Sequence, residues 1–135
     1  MLTCAQFQID PLTFHATLTD FGLSRIMSGT MVCSTRTMMA GTPGFQSPEQ
    51  LQAKNIGLPT DVYAFGCVMI VIFSEQSIWP ELTPFQIMVK VTVDKDKPSA
   101  LKVGNKEIKE LCESCTDATR PSIEQVLQTL QFISL

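Results

Sequence analysis

One carboxylate stands where chemistry could be done. Asp20 closes a short apolar, extended-looking stretch and is followed by Phe21, Gly22 and a long polar run. A carboxylate where a strand gives way to a loop can hold Mg²⁺, which takes one or two protein oxygens and completes its shell with water and substrate phosphates. The same tripeptide also makes an ordinary turn, with Gly22 free to adopt positive φ and Phe21 tucked into a core. Taken alone, Asp-Phe-Gly supports both readings.

Other reactive side chains have less to work with. Cys112 and Cys115 form a lone C-x-x-C on the apolar face of a helical stretch, with no second ligand pair to complete a zinc site. His15 has no nucleophile at a suggestive spacing and reads as structural or exposed, and Trp79-Pro80 reads as packing. The five cysteines are odd in number and have no framework spacing. Reduced thiols and a cytoplasmic location are the expectation.

The bulk composition narrows the class. A chain of 135 residues is the size of one domain, and 44% hydrophobic with 17% charged residues favours a folded object. The net charge of −3, with lysines and arginines scattered singly, argues against nucleic acid as a partner. The longest apolar run, residues 62–73, is too short to span a bilayer and reads as a buried helix.

These residues must be positioned by a mainly helical frame. Residues 7–18 read as a small hairpin around the turn dipeptide Asp10-Pro11. No hydrophobic period runs through residues 22–42, a length usually reserved for functional or mobile loops. Helix starts are then signalled by Ser47-Pro48 with Gln50, Thr83-Pro84 with Gln86, Asn105, and Ser122 with Gln125. A helix beginning at Asp61 and ending near Ser74 has no polar face, which places it at the centre, packed on every side.

Four segments in order, Asp20-Phe21-Gly22, Ser47-Pro48-Glu49, Asp61-Val62-Tyr63-Ala64-Phe65-Gly66 and Arg120-Pro121-Ser122, resemble the C-terminal lobe of the eukaryotic protein kinases over residues 7–130. Ser47 stands where that family usually has alanine. The resemblance is to the serine/threonine type, near the tyrosine-kinase-like group. It implies a helical C-lobe with a small N-terminal β-hairpin and no N-lobe within these residues. Its parts would be a hairpin with Asp-Phe-Gly (7–22), an activation segment (22–49) and a helical subdomain (50–135).

Carried over by position, Asp20 would bind the Mg²⁺ that bridges the ATP phosphates, and Phe21 would pack beneath it. Gly41 and Thr42 would face the protein substrate. Glu49 would pair with Arg120 and pin the end of the activation segment to the helical core. Asp61 would cap the central helix and anchor the catalytic-loop backbone. Ser28, Thr30, Ser34, Thr35 and Thr37 would be phosphorylation candidates, since a phosphate there could order the loop through arginines.

The departures matter equally. The sequence contains no Gly-rich loop, no strand lysine of the V-A-I-K type and no His-Arg-Asp ahead of Asp20. Phosphoryl transfer rests on positioning and electrostatics supplied by all of these together. The family's Mg²⁺ and ATP are therefore not expected to bind productively here. Met1 reads as a start inside a kinase domain, through a truncated gene, a splice form or a degenerate copy. Two functions follow: part of a kinase acting on protein hydroxyls, or a non-catalytic, pseudokinase-like module that binds a protein partner.

Overall fold

The computed structural model describes residues 6–13, 15–19, 42–99 and 102–133. It is mainly helical, with one two-stranded antiparallel sheet. Strands β1 (Gln6–Ile9) and β2 (Ala16–Thr19) pair with Phe7 opposite Leu18 and Gln8 opposite Thr17. Asp10 makes the reversal. Its Oδ1 accepts the Leu12 N–H at 2.8 Å, and its own N–H donates to the His15 carbonyl at 3.0 Å. A short acceptor thus replaces backbone partners that the turn leaves open.

Among the described residues five helices follow: α1 (Pro48–Leu51), α2 (Leu58–Ser74), α3 (Pro84–Val89), α4 (Lys106–Cys115) and α5 (Ile123–Phe132). A π turn, Lys90–Asp94, extends α3. Side chains at the starts satisfy orphan amides: Asn105 accepts from Ile108 N at 3.0 Å, and Thr83 and Ser122 form reciprocal boxes with Gln86 and Gln125. At α1 only half of the box exists. Ser47 Oγ accepts the Gln50 N–H at 3.4 Å, while the Gln50 side chain turns inward and its buried Nε2 has no partner.

Helix α2 differs from the sequence expectation in two ways. It opens three residues earlier than Asp61, with Gly57 as N-cap and Pro59 in the first turn, so Asp61 lies within the first turn instead of capping it. The hydroxyl of Thr60 supplies the capping acceptor, at 3.5 Å from the Gly57 N–H. Nor is α2 packed on every side. Val62, Tyr63, Cys67, Met69 and Ile70 are buried, but Ile72 is 62% exposed and Phe65 and Val68 are only partly covered. The cause is its main neighbour: α4 lies along one face, so burial follows one stripe whatever the composition of the other.

That face is close-packed. A Cβ added at Gly66 would lie 2.7 Å from Cys115 Cβ and 3.1 Å from Thr116 Cγ2, so α2 and α4 approach at a distance only glycine allows. Around the crossing lie Ile70, Ile108, Leu111, Cys112 and Cys115, with Val126 from α5, all members of the hydrophobic core.

Candidate functional site

The side chain with the most polar contacts in the described residues is Arg120, from the connection between α4 and α5. Only 6% of it is exposed. Its Nη1 and Nη2 meet the two carboxylate oxygens of Glu49, the second pair at 3.0 Å, in a bidentate fork. Nη1 also donates to the Pro59 carbonyl at 3.0 Å, and Nε donates to the Asp117 carbonyl at 2.9 Å. The guanidinium carbon lies 4.9 Å from the centroid of the Tyr63 ring, a stacking distance for a cation on an aromatic face.

Glu49 reaches this point because Ser47 and Pro48 start α1 just before it, holding its carboxylate toward the first turn of α2. There Thr60 Oγ1 donates to Glu49 Oε1 at 3.1 Å. Burial pushes the Glu49 carboxyl up, but hydrogen bonds and charge from Arg120 outweigh it, helped by the Glu49 backbone amide and the Ser47 hydroxyl. Its pKa therefore lies below the ordinary 4.5. Three segments distant in sequence, residues 47–49, 57–63 and 117–120, are thereby tied at one ionic centre.

The residues just before α1 form a turn against Trp79. Gly44 has φ +100°, a left-handed conformation natural to glycine. The indole N–H of Trp79 donates to the Gly44 carbonyl at 3.3 Å, and a Cβ on Gly44 would come within 2.9 Å of the ring. Thr42, exposed, accepts the Phe45 N–H on its carbonyl at 3.3 Å. Gly41 lies outside the described residues, as do Asp20, Phe21, Gly22, Ser28, Thr30, Ser34, Thr35 and Thr37.

Cys67, Cys112 and Cys115 are free thiols buried between α2 and α4. Burial pushes Cys112 up to about 12 and Cys115 up to about 11, which holds them as inert thiols. Among the described residues no group of three His, Cys, Asp or Glu is placed to hold a metal. His15 sits exposed on the hairpin, with its Nδ1 3.5 Å from the Thr17 hydroxyl.

Sequence reasoning did not single out Thr60, Pro59 or the ring of Tyr63 as members of the Arg120 centre. The available signal was a hydroxyl directly before Asp61 and an aromatic two residues after it, at the start of an apolar helix.

With this geometry in view, the comparisons with known proteins are specific. Residues 9–132 match the protein kinase domain, and the chain belongs to that family. It is 35% identical over 119 residues to the dual specificity protein kinase shkA of Dictyostelium discoideum, covering 84% of this chain and 23% of that protein. It is 32% identical over 118 residues to the probable serine/threonine-protein kinase drkB of the same organism, covering 84% and 16%. To the serine/threonine-protein kinase CTR1 of Arabidopsis thaliana the figures are 29% over 115 residues, 83% and 14%. The chain thus spans less than a quarter of the length of these curated relatives. No helix among the described residues is long and apolar enough to cross a membrane.

Proposed function

We propose that these residues are the C-terminal portion of a serine/threonine protein kinase domain, one that moves the γ-phosphate of ATP to protein hydroxyls when complete. The observation that carries this reading is the Glu49–Arg120 centre, which fastens the segment ending at Ser47-Pro48-Glu49 to the central helix within a chain of the kinase family. Gly41 and Thr42 then face a protein substrate in the cytosol, and Asp61 steadies the backbone in front of α2. Asp20 is the residue that would hold Mg²⁺; the bound ion would neutralise charge on the phosphates. Phosphate on Ser28, Thr30, Ser34, Thr35 or Thr37 would set the order of the loop.

The 135 residues by themselves are not competent for transfer, because they hold one charged member of the required set, Asp20, and no phosphate-covering loop, strand lysine or His-Arg-Asp base. That same observation favours a second reading, a non-catalytic kinase-like module that engages a protein partner. The test is transfer of labelled γ-phosphate to a mixed protein substrate with Mg²⁺. The purified chain should give no more label than its Asp20→Ala variant. Label transfer abolished by Asp20→Ala would overturn the claim of incompetence.

A further inference from the structure

Thr60 stands out among the residues that the family resemblance did not assign. It is 1% exposed, and its one hydroxyl is used in both directions. The proton goes to Glu49 Oε1 at 3.1 Å, and a lone pair faces the Gly57 N–H at 3.5 Å. Glu49 Oε1 is also the oxygen that Arg120 Nη1 meets, and Nη1 in turn bonds the carbonyl of Pro59, the neighbour of Thr60. The first turn of α2 thus touches both ends of the ion pair, through a hydroxyl at Glu49 and a carbonyl at Arg120.

A carboxylate held by arginine alone can still rotate about its last torsion and trade the fork for a single contact, since that torsion is broad. A third donor fixed on a helix removes this freedom, because Oε1 then has two directional bonds from groups that do not move together. We propose that Thr60 is a positioning residue: its hydroxyl locks the Glu49 carboxylate in the bidentate orientation and so fastens residues 42–54 to α2. Its link to substrate presentation rests on the kinase reading above; the lock itself does not.

Backbone amides report on the lock directly. In this stretch the N–H groups of Phe45, Leu51, Gln52, Ala53 and Lys54 are each bonded to a backbone carbonyl within the same stretch, so their hydrogen exchange follows its local opening. In α4, the amides of Lys109 and Thr116 are bonded within that helix or its cap and serve as controls. Thr60→Val keeps the shape and deletes the hydroxyl, whereas Thr60→Ser keeps the hydroxyl and deletes a methyl.

The expected result is exchange roughly tenfold faster at those five amides in Thr60→Val, the loss of a hydrogen bond to a charged group. The Lys109 and Thr116 amides should be unchanged, and Thr60→Ser should exchange like the wild type. Equal exchange in wild type and Thr60→Val would overturn the proposal. So would a Thr60→Ser variant as fast as Thr60→Val, or acceleration spread equally into α4. Failure of Thr60→Val to fold while Thr60→Ser folds would also overturn it, by giving the hydroxyl to the whole domain. No nucleotide or substrate enters the measurement, so its outcome is separate from that of the phosphotransfer test.

Discussion

A buried arginine needs somewhere to put five N–H groups, and Arg120 solves this with one carboxylate and two carbonyls. Deleting it leaves Glu49 half-buried with a hydroxyl for company and no cation. Arg120→Ala should therefore lower unfolding free energy by roughly 3 kcal/mol, at the low end for a broken buried pair because Glu49 keeps 21% of its side chain in water. Arg120→Lys should recover only part, since an ammonium cannot fork across a carboxylate or lie flat on Tyr63. The pH dependence has a definite sign. The folded-state pKa of Glu49 is depressed, so its contribution is fully present above the unfolded value near 4.5 and fades as pH falls through the lower folded value. Urea titrations at neutral pH and below 4.5 should show the gap between wild type and Arg120→Ala narrowing in acid. A gap that stays constant would mean the charge pair is not its source.

At the scale of elements, the crossing of α2 and α4 is the tightest constraint. Gly66→Ala would gain up to about 1 kcal/mol in helix propensity, but its methyl would meet Cys115 Cβ at 2.7 Å, a backbone-proximal atom that cannot swing away. Overpacking of this kind costs roughly 1–3 kcal/mol, so the variant should melt lower than wild type. A thermal midpoint at or above wild type would show that the helices can part without penalty. This crossing also marks the limit of what the sequence makes legible. The hairpin at Asp10-Pro11 and the caps at Ser47, Thr83, Asn105 and Ser122 are readable because each signal spans four residues or fewer. The start of α2 is not, because Gly57 offers no side chain to recognise and its acceptor comes from Thr60. Gly66 looks like a propensity defect until Cys115, far along the chain, explains it. Glu49 and Arg120 are 71 positions apart, and in the sequence only the family resemblance links them.

The described residues leave several large apolar side chains uncovered by their short helices. Along α2, Leu58, Val68 and Ile72 recur at helical spacing on the flank away from α4, and exposure there rises to 66% at Leu58 and 62% at Ile72. Phe85 and Val93 are similarly open near α3. Single exposed hydrophobes are ordinary, but a run along one helix face is a surface on which a second molecule can gain by excluding water. The sequence hints at such surface only as a high apolar fraction; the periodicity of residues 62–73 cannot say which flank is left open, because both are apolar. A substitution can. Ile72→Gln places a polar group where water already reaches, so its unfolding free energy should stay within about 0.5 kcal/mol of wild type. Concentration-dependent sedimentation and binding of an apolar dye should both fall. A loss of stability on the scale of a buried isoleucine, roughly 2 kcal/mol or more, would show that Ile72 is covered in the folded chain. Unchanged stability with unchanged association would move the sticky surface elsewhere, with Phe85→Gln as the variant to examine next.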